Sequence, residues 1–304
     1  MKILITGIAG FIGSHLMDRL VAKGHTVDGI DNLSTGSLKN MSNHPLYVGS
    51  VAQTNDLNFV FDRFQPDVVV HAAASYKDPM DWYNDIRTNV LGTANVVRKC
   101  LDCKVKRLIY FQTSLCYGTP QEQPITLTHP LNPKNSYAIT KTAAERYIAM
   151  SGLDFISFRL ANCYGPRNLS GPIPTFFKRI TDGEKCIITN TRRDFVYIDD
   201  LIDIVLKAVD GVGEKGFYHV SSGTDFGIKE IFDVVNLFVG KPCVYEVKEM
   251  GKDDVPTILL DPSKTTKDFG VIPNIKLNYG IRKAVEWYEQ NGVGETFTHL
   301  NLRS

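Results

Sequence analysis

Short apolar runs rich in β-branched residues alternate with helix-length segments through the first half of the chain. Five runs have the length and composition of buried strands, at 2–6, 26–30, 67–71, 107–112 and 154–159. Four helical patterns separate them, at 11–23, 56–64, 86–100 and 137–150. Strands joined by helices pair in parallel through right-handed crossovers, so we predict a mainly parallel sheet covered by helices on both faces.

The regular alternation of strand and helix patterns ends at about residue 165. The stretch "YGPRNLSGPIP" at 164–174 holds three prolines and two glycines, which predicts a loop. Beyond it, the patterns predict helices near 199–209, 228–239 and 280–290 and a strand at 216–220. We therefore expect a first domain over 1–165 and a smaller lobe over 166–304, with a soft boundary across which later strands could return to the first sheet.

Three glycines, Gly7, Gly10 and Gly13, lie between the first predicted strand and the first helix in "ILITGIAGFIGSHL". Backbone amides at a helix N-terminus can face a pyrophosphate, and the missing side chains allow it to approach closely. Asp31 ends the second strand, where its carboxylate can accept both ribose hydroxyls and would repel a 2′-phosphate. The pattern predicts NAD as cofactor, rather than NADP.

Tyr137 and Lys141 lie four residues apart on a predicted helix, so their side chains point the same way. An ammonium beside a phenol, helped by an oxidised nicotinamide, stabilises the phenolate and lowers its pKa. A hydroxyl from Thr113 or Ser114, at the end of a strand, could align proton transfer in the same crevice. A second helix stripe is expected to pack on the sheet: Ile139, Ala143, Tyr147 and Met150.

Composition excludes several other classes. The net charge of +1 argues against broad attraction to nucleic acid or anionic membrane. Apolar runs are strand-sized, and the start "MKILITG" lacks the long apolar region and cleavage site of a signal peptide. Six scattered cysteines form neither a metal set nor a disulfide framework, so we expect no metal and a reducing cytoplasm.

Motifs along nearly the whole chain resemble the extended short-chain dehydrogenase/reductase family, in its nucleotide-sugar epimerase and dehydratase branch. They are T-G-x-x-G-F-I-G at 6–13, D-N-L-S-T-G at 31–36, H-A-A-A at 71–74, T-N-V-x-G-T at 88–93, Y-x-x-x-K at 137–141, R-L-x-N-x-Y-G-P at 159–166 and R-D-F-V-Y-I-D-D at 193–200. The chain is also similar to epimerases of bacterial surface-polysaccharide clusters. The resemblance implies a Rossmann-type doubly wound parallel sheet with a smaller C-terminal α/β substrate lobe.

By position in these motifs, Thr113 takes the catalytic Ser/Thr place, Tyr137 the acid/base place and Lys141 that of its activator. The resemblance places further cofactor contacts at Phe11, Ile12, Asn32, Ser34, Gly36, Ser50, Val51, Ala72, Ala73 and Ala74. It places substrate contacts at Ser114, Asn162 and Arg193. Two further substrate contacts are hypotheses: Lys77 for an anionic sugar group, and Lys252 in place of a missing phosphate-binding arginine.

Dehydratase and decarboxylase relatives carry acidic residues after the catalytic threonine, where this chain has Ser114 and Leu115. The resemblance therefore favours a 4-epimerase of a UDP-sugar in bacterial-type polysaccharide precursor synthesis. An NDP-keto-sugar reductase or dehydrogenase, an NDP-sugar dehydratase and a non-catalytic NAD sensor stay open as alternatives. The family resemblance also implies a homodimer formed through the helices near 86–100 and 137–150.

Overall fold

A computed structural model describes residues 1–251 and 254–297 of the chain. The strands are β1 Lys2–Thr6, β2 Thr26–Asp31, β3 Tyr47–Val48, β4 Val68–His71, β5 Arg107–Thr113, β6 Phe155–Leu160, β7 Asn162–Tyr164, β8 Cys186–Thr189, β9 Arg192–Tyr197, β10 Gly216–Val220, β11 Asp225–Gly227, β12 Tyr245–Lys248 and β13 Thr257–Ile258.

The α-helices are α1 Phe11–Ala22, α2 Thr54–Phe64, α3 Trp82–Asp85, α4 Gly92–Asp102, α5 Ser136–Met150, α6 Pro172–Asp182, α7 Ile198–Val209, α8 Ile228–Val239, α9 Ser263–Phe269 and α10 Leu277–Asn291. A π-helix at Ile86–Leu91 leads directly into α4, and short 3₁₀ helices cover Leu38–Met41 and Ser114–Tyr117.

Seven strands form the central sheet in the order β10-β6-β5-β4-β1-β2-β3. Every neighbouring pair in it is parallel. From β3 to β6 the order is that of two mononucleotide-binding halves, which leaves a crevice beyond the carboxyl ends of the strands. The predicted doubly wound parallel sheet is therefore confirmed.

Apolar side chains cover both faces of this sheet. On one face, Leu57 and Phe61 of α2, Val96 of α4 and Ile148 of α5 are buried in one cluster. On the other face, α1 packs against α7, and the buried cluster continues into the second half of the chain. Since α7 and β10 both follow residue 165, the later chain completes the sheet layer as well as building a second lobe.

The second lobe contains two small sheets. One has the order β11-β9-β13, with β7 also paired to β9, and the other pairs β8 with β12. Helices α6, α8 and α10 pack together beside them. This arrangement holds β7 and β9 next to the carboxyl end of the central sheet, where the lobes meet.

Two sequence expectations were wrong. The predicted loop over 164–174 ends early, because Pro172 begins α6 and Pro174 lies in its first turn. Proline is accepted there because the first amides of a helix have no partner within it. Three of the four residues in the predicted stripe of Ile139, Ala143, Tyr147 and Met150 do not pack on the sheet, since Ile139, Tyr147 and Met150 are 52%, 47% and 77% exposed.

Within the described residues, no helix is both long enough and apolar enough to span a bilayer. All six cysteines are free thiols.

Candidate active site

A cleft opens at the carboxyl ends of the central strands and runs from the end of β2 to the second lobe. The loop after β1, the end of β2, the turn after β4, the end of β5, the start of α5 and the start of β7 all line it. Parallel strands direct their carboxyl ends to one edge, so residues far apart in sequence meet there.

The glycine loop is shaped by close backbone packing. Gly7 has a φ of +72°, and a β-carbon there would lie 2.7 Å from the amide nitrogen of Ala73. A β-carbon on Gly13 would lie 2.2 Å from the carbonyl oxygen of Gly7. Helix α1 starts after Gly10 without a side-chain cap, and its first residues line the cleft. The uncapped amides at this helix start can receive an anion.

Asp31 lies at the end of β2 with its side chain buried. Its carboxylate accepts hydrogen bonds from the amides of Ala9 at 2.9 Å and Leu33 at 2.8 Å. Burial raises the pKa of Asp31, and these amides act in the opposite direction. The carboxylate is therefore held in one orientation at the cleft wall, where its remaining lone pairs can accept hydroxyl hydrogens.

Gly36 supports Asp31 from outside the cleft. It is not among the lining residues, and a β-carbon on it would lie 2.9 Å from both carboxylate oxygens of Asp31. The other residues expected at a cofactor line the cleft: Gly7, Gly10, Phe11, Ile12, Gly13, Asp31, Asn32, Ser34, Ser50, Val51, Ala72, Ala73 and Ala74.

Helix α5 brings Tyr137 and Lys141 to the floor of the cleft. Asn135 caps the helix by accepting a hydrogen bond from the amide of Ala138 at 2.9 Å, which places Tyr137 in the first turn. Lys141 follows one turn later, with only 3% of its surface exposed. Its Nζ lies 4.0 Å from the centroid of the Tyr110 ring, a cation–π distance.

Burial controls the protonation of this pair in the protein alone. It raises the pKa of Tyr137 above its ordinary range, and neighbouring Tyr76 and Asp85 act in the same direction. It lowers the pKa of Lys141 to about 7, while Glu145 acts in the opposite direction. The lowered tyrosine pKa expected from the sequence is thus not produced by the protein groups alone and requires a further positive charge in the cleft.

Thr113 ends β5 and lines the cleft, and its Oγ1 accepts a hydrogen bond from the amide of Leu115 at 3.2 Å. Asn162, the first residue of β7, lines the cleft from the second lobe. Ser114 is buried and is not among the lining residues, so the hydroxyl offered to the cleft at this strand end is that of Thr113.

Among the described residues, two further expected substrate contacts, Arg193 and Lys77, do not line the cleft. Arg193 is buried, forms an ion pair with Asp254 and is not a lining residue. Lys77 forms an ion pair with Glu295 at 2.8 Å instead of facing the cleft. Lys252 lies outside the described residues.

The sequence interpretation missed Tyr76, which lines the cleft with its ring centroid 6.4 Å from that of Tyr137. It also missed Glu145, one turn after Lys141, which receives two hydrogen bonds from the Arg159 guanidinium, at 3.2 and 2.8 Å. The i,i+4 spacing from Lys141 could have identified Glu145, whereas nothing local distinguishes Tyr76.

The model of the NAD dependent epimerase/dehydratase family matches residues 3–220, well over half of the chain. The chain belongs to this family. Among curated members, the UDP-glucose 4-epimerase of Mycolicibacterium smegmatis is 31% identical over 311 residues, covering 95% of this chain and 98% of its own.

Two solved structures of enzymes from Bordetella bronchiseptica are similar to this chain. The enzyme WbmH in complex with NAD+ is 49% identical, with a TM-score of 0.91, and the match covers 96% of this chain and 99% of that one. WbmG in complex with NAD and UDP is 43% identical, with a TM-score of 0.90, and the match covers 99% of both chains. The family resemblance deduced from the motifs is therefore confirmed.

Proposed function

We propose that this protein is an NAD-dependent 4-epimerase of a UDP-sugar, acting in bacterial-type polysaccharide precursor synthesis. The observation that carries the proposal is the meeting of Tyr137, Lys141 and Thr113 with the glycine loop and Asp31 in one cleft. The fold alone would serve many dehydrogenases, so these side chains, and not the fold, indicate the function.

The cleft suits a dinucleotide. Side chains at Gly7 and Gly13 would collide with backbone, so the loop keeps a bare surface next to the helix start where a pyrophosphate can lie. The Asp31 carboxylate, held in one orientation by two backbone amides, can accept hydrogen bonds from both hydroxyls of a ribose. Its negative charge would repel a 2′-phosphate. WbmH and WbmG, both similar to this chain, are solved with NAD. When bound, NAD supplies the acceptor and later the donor of a hydride.

The protein groups handle the proton. Tyr137 would take the proton from the hydroxyl on carbon 4 of the sugar as that carbon is oxidised, which would produce a 4-keto sugar. Lys141, in its ammonium form, and the positive charge of the oxidised cofactor favour the phenolate that this step needs. Thr113 donates a hydrogen bond to the reacting oxygen. Tyr137 would then return the proton to the same oxygen as the rotated keto-sugar is reduced on its opposite face.

Binding must concentrate on the nucleoside diphosphate so that the sugar can turn. WbmG, 43% identical to this chain, is solved with UDP, which supports UDP as the nucleotide. Asn162 is the proposed contact on the second lobe. Arg193 would have to exchange Asp254 for a diphosphate oxygen in order to bind it. Energy from this remote group then serves the chemistry at carbon 4.

The side chains of the cleft favour epimerisation over dehydration. Elimination of water requires an acid and a base at the sugar. Among the described residues that line the cleft, Asp31 is the only carboxylate, and it lies with the glycine loop. Leu115 lines the cleft where a dehydratase would need an acid. A net reductase would use the same residues, but it would need a fresh cofactor for each turnover.

The experiment is incubation of the purified protein with a panel of UDP-sugars, including uronic and N-acetylated ones, without added cofactor. We expect NMR to show that the protein interconverts two UDP-sugars that differ in configuration at carbon 4. The cofactor released from the denatured protein should be NAD. Tyr137→Phe should retain NAD and lose turnover. Normal turnover by Tyr137→Phe would remove the tyrosine as base, and product only with added cofactor would favour the reductase.

The proposal includes a homodimer in the cytoplasm. Ile139, Tyr147 and Met150 leave an apolar stripe exposed on α5, and Ile86 and Leu91 do the same beside α4. A two-fold contact pairing these helices with the same helices of a partner would bury both stripes. Light scattering coupled to size exclusion should give twice the chain mass, and a monomer at micromolar concentration would contradict the dimer.

A further inference from the structure

The segment 293–297, which follows α10, is joined to a loop that lines the cleft. The amide of Phe297 donates to the carbonyl of Leu169 at 2.8 Å, and its carbonyl accepts from the amide of Gly171 at 3.2 Å. The Phe297 ring is buried. Asn168, Ser170 and Gly171, on the loop thus joined, line the cleft from the second lobe. The segment is therefore attached to one wall of the site.

The same segment also contacts the opposite wall of the cleft, which is formed by the loop after β4. Glu295 pairs with Lys77 at 2.8 Å, and the Lys77 Nζ lies 5.0 Å from the centroid of the Phe297 ring. The Tyr76 ring meets the Phe297 ring edge-on, with centroids 6.4 Å apart and planes at 76°. One short segment thus connects the loops of both lobes that border the cleft.

Tyr76 carries this contact into the cleft. It lines the cleft, and its ring lies edge-on to Tyr137, with centroids 6.4 Å apart and planes at 71°. Burial raises the pKa of Tyr76, and the neighbouring side chain of Thr35, another lining residue on the loop after β2, acts in the opposite direction. Tyr76 therefore forms a wall between Thr35 and the catalytic tyrosine, and Phe297 packs on the outside of that wall.

We propose that the segment 293–297 is a strap that closes the cleft over the cofactor and the sugar, and that Tyr76 is a positioning residue held by this strap. The proposal rests on the proposed function, because an epimerase must keep its cofactor and its oxidised sugar until the hydride returns. Closure against water and premature release is a recognised role of such elements. The Lys77–Glu295 pair is half exposed, so the strap can open for substrate exchange.

Two readouts test the strap. The first is the rate at which purified protein loses bound NAD during dialysis, which requires no turnover. The second is the accumulation of reduced cofactor and free keto-sugar during incubation with the UDP-sugar that the panel identifies. Phe297→Ala should increase both by about tenfold, because it removes the aromatic and cation–π contacts together. Glu295→Gln should act in the same direction and less strongly.

The control is Glu246→Gln, which breaks an exposed ion pair with Lys185 far from the cleft and should change neither readout. Phe297→Leu retains apolar bulk without the ring face, so it tests the contact if Phe297→Ala fails to fold. Charge reversal at Lys77 or at Glu295 alone should speed cofactor loss, and the double reversal should restore retention.

Each outcome is decisive. Cofactor retention equal to wild type in Phe297→Leu and in both single reversals would overturn the strap, even if the protein proves to be an epimerase. A double reversal that fails to restore retention would remove the ion pair as its latch. Wild-type protein that binds no NAD would contradict the proposed function instead, so the two failures are distinguishable.

Discussion

The buried ion pair beneath Lys141 offers the sharpest test of how the catalytic helix is held. The carboxylate of Glu145, one turn after Lys141 on α5, accepts three hydrogen bonds. Two come from Nε and Nη2 of Arg159, at 3.2 and 2.8 Å, and one comes from the Ser157 hydroxyl, at 2.6 Å. The side chains of Arg159 and Glu145 are only 5% and 1% exposed. Glu145→Gln keeps the shape but leaves the guanidinium buried without its carboxylate.

Removal of one partner from a buried pair typically costs about 3–5 kcal/mol, because the remaining charge has lost its compensation. For a chain of this size, such a loss lowers the midpoint of thermal unfolding by roughly 10 °C. Burial lowers the pKa of Arg159, but the Glu145 carboxylate outweighs burial and raises it overall. Glu145→Gln removes that contribution, but an arginine guanidinium is so weakly acidic that it stays charged at neutral pH, so deprotonation cannot relieve the penalty.

The assay is thermal unfolding followed by circular dichroism, with two comparison variants. Glu145→Leu combined with Arg159→Met should recover most of the loss, since an apolar pair of similar volume replaces both charges. Glu286→Gln breaks the exposed pair with Lys283 and should leave the midpoint unchanged. A midpoint for Glu145→Gln within 2 °C of wild type, or a double variant as unstable as the single one, would refute the reasoning.

Three further changes have defined outcomes. Gly13→Ala should abolish NAD retention in purified protein, because the added carbon would lie 2.2 Å from the Gly7 carbonyl oxygen. Asp31→Asn should reduce the preference for NAD over NADP by about tenfold or more in calorimetric titrations, since the carboxylate that opposes a 2′-phosphate is gone. Burial lowers the pKa of His219 from 6.5 to about 4. Neutral His219 therefore contributes stability above pH 6.5 that is lost as the pH falls to about 4. The free energy of unfolding, measured by urea titration, should drop by about 3 kcal/mol over this range, and the drop should be smaller in His219→Gln.

The central sheet could be predicted because its signal is local and repeated. Each run of β-branched residues is long enough to be recognised, and each crossover helix follows it directly. The small sheets of the second lobe lack this signal. Strands of two or three residues, such as Asn162–Tyr164 and Thr257–Ile258, exist only through pairing with Arg192–Tyr197, which a local pattern cannot reveal.

The error on α5 has a functional cause. A hydrophobic stripe predicts the buried face of a helix, but α5 instead buries Thr140, Lys141 and Glu145. Thr140 accepts a hydrogen bond from Asn89 of the π-helix that precedes α4, Glu145 accepts hydrogen bonds from residues of β6, and Lys141 lines the cleft. The apolar stripe of α5 therefore faces solvent in the single chain, and the proposed dimer contact would cover it.

The site was predictable where spacing carries the chemistry. Tyr137 and Lys141 share a helix turn, and the glycines stand at one strand–helix junction, so both reach the cleft as expected. Arg193 shows the limit, because its partner Asp254 lies 61 residues further along the chain. Its ion pair depends on tertiary structure, as does the approach of Tyr76 to Tyr137.

The fate of the hydrogen on carbon 4 tests the central claim most directly. Purified protein is incubated, without added cofactor, with a UDP-sugar that it interconverts, deuterated at carbon 4, and the product is analysed by NMR and mass spectrometry. If Tyr137 moves only the hydroxyl proton and a captive cofactor returns the same hydride, the product will have inverted configuration and retain its deuterium. Inversion with loss of deuterium to water would contradict the account.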